Sequence, residues 1–269
     1  MLRKVCGPAT GQPHWRSRPY TYRDRSNHRI ADGMLRDATH TAGVTDIDLW
    51  AVATDLTTAQ GGDIAAWPVR EGAAVTQPTA GKRPECLHLG FDGRLPCADI
   101  QIGECLLATI DLSTTDVATY FATFRQTSSD TDVFTFTTSW FTQKGFIIGT
   151  IADDLVVGDG NAGNYKLFLP SINDDNVTVS GMSDRSLAGI DQNTCLVNDE
   201  ASLRAQSGGA TAAVAGNFAG PAPVNIGSRN DGASRAIEGP MFEFSVVSRE
   251  MTLPERHQVN MSMLFRARL

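Results

Sequence analysis

The residues of this 269-residue chain best suited to chemistry are short runs of side-chain oxygens. Asp153-Asp154, Asp159-Gly-Asn161 and Asp174-Asp175-Asn176 place carboxylates and amides in close succession within polar stretches. A hard cation such as Ca2+ is held by clustered oxygens of this kind. Asp153, Asp154, Asp159 and Asn161 are therefore candidate Ca2+ ligands. The competing reading is that Asp and Asn are abundant there because they make turns. Proline stands at position 170, where an EF-hand loop beginning at Asp159 would need its closing Glu. No other cofactor is expected.

Nucleophile chemistry finds no support. G-x-S-x-G and H-E-x-x-H are both missing from the sequence. His14, His28, His40, His88 and His257 are dispersed, and His88 reads as a packed or surface residue because nothing near it in sequence would make it a base. No catalytic residue is expected.

The first thirty residues have a different character. They carry Arg3, Lys4, Arg16, Arg18, Arg23, Arg25 and Arg29 against the single acid Asp24, together with Trp15, Tyr20, Tyr22 and three prolines. Of 23 basic and 30 acidic side chains in all, that leaves 16 and 29 on the remaining 239 residues, a charge of −13. One reading is a solvated tail. The sharper one is an anchoring arm, residues 1–44, that orders against an acidic partner, because guanidinium forks and flat aromatics make affinity when desolvated at an interface. Basic residues interleaved with aromatics also suit nucleic acid, but an overall charge of −7 opposes that partner.

Bulk properties narrow the class. Hydrophobic content of 41% and charged content of 20% are globular values. No apolar run is long enough to span a bilayer, and the polar start has no signal-peptide core. Cys6, Cys86, Cys97, Cys105 and Cys195 are odd in number and form no C-x-x-C pair, which points to free thiols in a reducing compartment.

The elements that must position these groups read as strands. Ile47, Leu49 and Ala51 share a parity, and Ile64-Ala-Ala-Trp67 is a short apolar piece whose Trp fills a core. Leu87, Leu89 and Phe91 alternate up to the Asp92-Gly93 turn. Strands are predicted at 102–112, 117–125, 133–141, 146–152, 165–170 and 177–179, with 153–164 as a loop and a hairpin across 195–205 and 210–214. Near the end, Phe242, Phe244 and Val246 fall on one face of a sheet-closing strand. Thr252-Leu-Pro-Glu255 then opens a short terminal helix at the sheet's edge, fastened by Val259 and Met263. Short strands separated by turn signals give an all-β fold, a two-sheet antiparallel β-sandwich.

Several segments resemble a concanavalin A-like, laminin-G-like jelly roll. They are Asp55-Leu56, Ile64-Ala-Ala-Trp67, Gly72, Thr76-Gln77-Pro78-Thr79, Lys82-Arg83-Pro84 and Leu89-Gly-Phe91-Asp92-Gly93. The second half is similar at Val197-Asn198-Asp199, Ile226–Gly232, Glu238-Gly239, Phe242-Glu243-Phe244 and Arg249–Arg256. The likeness covers residues 45–265 and implies one jelly-roll domain over 45–269. Such domains are common in bacteriophage and viral structural proteins and in carbohydrate-binding modules, and they often hold Ca2+ at the sandwich rim. Glycoside hydrolases of this fold pair carboxylates as E-x-D-x-x-E on one strand, a triplet missing here, with Glu243 alone among apolar residues.

The resemblance and the charge contrast together imply a non-enzymatic bacteriophage virion protein. Its arm would dock the sandwich onto capsid, collar or tail in a virion assembled in the host cytoplasm. The alternative is a carbohydrate-binding module for a host-surface glycan, with Trp140 and Tyr165 as stacking platforms unless they fill the core. No membrane partner is expected, and association with further copies of the chain stays open.

Overall fold

The run Gly239–Val247 is buried at every residue, and that requires cover on both faces of its sheet. The computed structural model describes residues 47–127, 133–138, 145–151, 154–158, 165–168, 176–187, 193–198, 200–201, 206–208, 216–218, 220–228 and 236–267. The strands are, in chain order, β1 (Ile47–Val52), β2 (Gly62–Asp63), β3 (Ala66–Trp67), β4 (Val69–Gly72), β5 (Val75–Thr76), β6 (Glu85–Phe91) and β7 (Leu95–Ile100). Next come β8 (Leu106–Ile110), β9 (Val117–Arg125), β10 (Val133–Thr138), β11 (Ile147–Ile151), β12 (Asp154–Gly158) and β13 (Tyr165–Phe168). The last are β14 (Asn176–Asp184), β15 (Asn193–Val197), β16 (Glu200–Ala201), β17 (Gln206–Gly208), β18 (Ala222–Ile226) and β19 (Gly239–Val247), followed by helix α1 (Leu253–Ala267).

These strands form two antiparallel sheets. The first runs β16-β15-β14-β9-β19-β7-β6-β2, with β1 joining β19 and β4 beside β1. The second runs β17-β13-β12-β11-β10-β18-β8-β5-β3. The fold is the two-sheet antiparallel β-sandwich with a C-terminal helix that the sequence predicts.

The alternation in β9 shows why the sheets stack. Ala118, Tyr120, Ala122 and Phe124 belong to the large apolar core, whereas Phe121 joins a separate cluster with Val247, Met251 and Met263. Between the sheets, Trp67 meets Phe244 edge-on at 5.2 Å, Tyr120 stacks on Phe146 at 4.4 Å, and Phe136 lies 5.6 Å from Phe244. Buried aromatic polar atoms are satisfied: Trp67 Nε1 donates to the Val52 carbonyl at 3.1 Å, and Tyr120 Oη lies 2.8 Å from Ser183 Oγ.

The closing segment departs from its predicted place. The β19 strand is central, bonded to β9 on one side and to β7 and then β1 on the other. The helix packs on the face of β9, β14 and β15 rather than plugging an edge. Its start is as read: Glu255 Oε2 accepts the Thr252 backbone N–H at 2.7 Å, and Thr252 Oγ1 accepts from Glu255 N at 3.5 Å.

Four local expectations are corrected. The predicted loop 153–164 contains β12, whose Leu155, Val156 and Val157 are all buried, because a continuous apolar run suits a strand covered on both faces. The register of β6 against β7 shifts between Leu87 and Phe91, so Leu89 is turned out at 65% exposure. The strand predicted from residue 102 starts at Leu106, leaving Ile102 exposed in the preceding turn. The late hairpin is also different: β15 pairs with β14 and β16, while β17 pairs with β13 in the other sheet. Residues 210–214 lie outside the described residues.

Gly181 sits in β14 where an added Cβ would stand 2.2 Å from Tyr120 Cε2. Gly181→Ala should therefore force the Tyr120–Phe146 stack apart and lower unfolding free energy by about 1–3 kcal/mol in denaturant titration. An unchanged midpoint would mean that the stack can shift freely.

Candidate functional site

A polar layer lies between the first sheet and α1. Glu243 projects from β19 on the face opposite the aromatic core and is 1% exposed. Arg266, in the last turn of the helix, grips it with two bonds, Nε to Oε2 at 2.9 Å and Nη2 to Oε1 at 2.6 Å. Trp50 Nε1 of β1 donates to Oε1 at 3.0 Å. The Trp50 ring also has Arg70 at 5.0 Å and Arg266 at 5.9 Å from its centroid, within cation–π range. The carboxylate that looked solitary in sequence is thus engaged in joining helix to sheet.

Arg256, one face-turn after the helix start, is also buried. Its Nε donates to Ser180 Oγ at 2.9 Å, Nη1 to Thr194 Oγ1 at 2.6 Å and Nη2 to the Ser180 carbonyl at 2.8 Å. Burial lowers its pKa. Beside it, burial pushes the Cys195 thiol up to about 12 despite the guanidinium. Cys97 is likewise raised to about 12, chiefly by burial. Cys86, Cys97, Cys105 and Cys195 are all free and buried, as the sequence led us to expect of them. Asn260, one turn beyond Arg256, is fully buried with neither side-chain polar atom hydrogen-bonded.

A row of acids at the far side of the same sheet has no signature in sequence. Asp63 pairs with Glu85, and Glu85 with Asp99, so strand register sets three carboxylates side by side across β2, β6 and β7. Glu104 joins them from the turn after β7. Its Oε2 accepts the Gln101 N–H at 2.9 Å, and Gln101 Nε2 donates to Asp99 Oδ2 at 2.9 Å. Burial first, then Asp99, Asp63 and Glu85, raise the Glu104 pKa, against the Gln101 bond that lowers it. Asp63 and Glu104 stand 41 positions apart in the chain; pairing register unites the first three acids and the turn after β7 adds the fourth. Such a row can accept hydroxyl hydrogen bonds. Among the described residues no group of three or more His, Cys, Asp or Glu side chains is arranged to hold a metal ion.

The other predicted site residues are dispersed or outside the described residues. The arm residues from Arg3 to Arg29 lie outside them, as do Trp140, Asp153, Asp159 and Asn161. Tyr165 opens β13 and Asp154 opens β12. His88 is at the surface, its Nε2 3.0 Å from the Thr58 carbonyl oxygen. Asn176, the last of the third oxygen run, opens β14, and Thr178 two residues on is buried with its Oγ1 2.9 Å from Thr123 Oγ1.

No family model and no curated protein sequence matches the chain, but solved structures do. A Trypanosoma rangeli sialidase in complex with 2,3-difluorosialic acid matches over 90% of this chain and 38% of its own, at TM-score 0.52 and 11% identity. Domain 4 of a GH43 extracellular arabinanase from Geobacillus stearothermophilus, in complex with arabinotriose, matches over 81% of this chain and 99% of its own, at TM-score 0.48 and 10% identity. The binding domain of botulinum neurotoxin serotype D matches over 82% and 52%, at 0.49 and 10%. The chain thus spans well under half of the sialidase it resembles.

The fold likeness to the sialidase overturns the expectation that the chain is not an enzyme. Its sandwich is shared with a glycosidase chain, and a missing E-x-D-x-x-E triplet excludes one carboxylate arrangement, not the chemistry.

Two outcomes test the electrostatics. Arg266→Met leaves Glu243 buried without its cation and should cost about 3–5 kcal/mol, with most of that recovered in the Glu243→Gln/Arg266→Met double variant. Equal losses in single and double variants by chemical denaturation would remove the pairing as the cause. Second, a raised carboxyl pKa gives stability that is present below the ordinary glutamate value and lost as pH rises through the raised one. Glu104→Gln should therefore melt higher than the native chain at about pH 7, with the gain shrinking toward about pH 4. A gain that grew on acidification would contradict this.

Proposed function

We propose that the chain binds carbohydrate through its β-sandwich. The single observation that carries this reading is the sandwich itself, which it shares in fold with the sialidase solved with a sialic acid derivative. Sugar recognition needs apolar surface for ring faces and convergent polar groups for hydroxyls. The row Asp63, Glu85, Asp99 and Glu104 supplies acceptors, beside exposed Ile102. Trp140 and Tyr165 are the proposed stacking platforms.

The basic segment of residues 1–30 supports a second role, attachment to an acidic partner such as a virion surface, on the strength of its charge contrast with the remaining chain. The two roles separate experimentally. On a glycan array of sialylated, arabinan and neutral oligosaccharides, the full chain should retain at least one class. Deleting residues 1–44 should leave that binding intact, and Trp140→Ala or Tyr165→Ala should weaken it by about tenfold, the loss of a stacking contact. Retention of no glycan would end the reading. Assaying retained glycans for released reducing ends shows whether binding is accompanied by cleavage.

A further inference from the structure

One arginine among the described residues carries a buried side-chain nitrogen without a hydrogen bond. Arg70 is bonded to Asp55, Arg83 to the Gln77 carbonyl, Arg185 to the Gly216 carbonyl, Arg249 to Glu255, Arg256 to Ser180 and Thr194, and Arg266 to Glu243. Arg125, half-buried at the end of β9, has a buried Nε that donates to nothing. Its register partner across β14 is Asn176, whose Oδ1 is also buried and accepts nothing. Two rungs inward on the same face stand Thr123 and Thr178, whose hydroxyls are bonded to one another. Arg125 and Asn176 therefore leave the same outer face of the first sheet, at the end where β9 stops and β14 starts.

Their backbone is held in place. An added Cβ at Gly239 would stand 2.3 Å from the Arg125 carbonyl oxygen, so β19 presses against β9 at this point. A site on paired strands is positioned more firmly than one on a loop. A guanidinium edge without an acceptor matches a carboxylate, which takes two parallel N–H bonds. An amide oxygen beside it, lacking a donor, matches a hydroxyl.

We propose that Arg125 and Asn176 recognise a carboxylate carrying a neighbouring hydroxyl, and that the source is an acidic sugar. The sugar assignment rests on the carbohydrate reading above; the carboxylate chemistry does not. A small hydroxy acid presents the same groups, so the test separates them.

The full chain is titrated by calorimetry with N-acetylneuraminate, galacturonate, lactate and, as neutral control, galactose. At least one acidic sugar should bind more tightly than galactose and lactate. Arg125→Met should weaken it by roughly tenfold or more, the loss of charge-assisted hydrogen bonds, and Arg125→Lys should fall between. Because Nε bonds nothing in the protein, Arg125→Met should melt no lower than the native chain. The inference is overturned if no acidic probe binds, if acidic and neutral sugars bind alike, or if Arg125→Met binds as the native chain does. Glycan binding on the array that is indifferent to Arg125→Met would sink this site and leave the carbohydrate reading standing. Lactate bound through Arg125 with no sugar retained would keep the carboxylate pair and remove the sugar from both.

Discussion

The salt bridge from Glu243 to Arg266 depends on where β19 lies. A strand at the middle of a sheet, bonded on both edges, has only its two faces left to differ, and here both are covered. One face carries Phe242, Phe244 and Val246 into the aromatic core. The other carries buried Ser245 and Glu243, the latter gripped by Arg266 of the helix. A buried carboxylate there is tolerable only with its charge matched and its lone pairs used, which Arg266 and Trp50 accomplish together. The constraint links three distant parts of the chain, β1, β19 and the terminal helix, and orients the helix across the sheet.

The two sides of the first sheet are consequently built on different principles. Toward the second sheet the contacts are aromatic and apolar, with ring pairs closing the space between layers. Toward the helix they are arginine forks on hydroxyls and carbonyls, with a small nucleus of Phe121, Val247, Met251 and Met263. Hydrogen bonds specify orientation more than they add net stability. The helix is thus placed by directional contacts on a sandwich whose stability comes chiefly from the other face.

Much of this architecture was legible in the residues. The span of β9, the Asp92-Gly93 turn, the inward Trp67 and the capping box all follow from local chemistry acting where it is written. Tertiary pairing hid the rest. Leu89 alternates correctly in sequence, yet a register shift turns it outward. The Leu155-Val156-Val157 run was obscured by the Asp and Gly residues around it. The acid row exists only because β2, β6 and β7 align at one rung, and Arg125 with Asn176 for the same reason; spacing along the chain carries no trace of either. The aromatic and Ca2+ candidates came from composition, which says what a residue can do but not where it is put.

The four cysteines of the described sandwich bear on where such a protein can work. Unpaired thiols suggest a reducing environment when only the sequence is known. In the fold they are enclosed, and Cys97 and Cys195 are held protonated at neutral pH, so the thiolate that reacts with oxidants is scarce. No disulfide among them supports the structure. Burial thus shields Cys97 and Cys195 from oxidation, and the described sandwich holds its two sheets together without a disulfide.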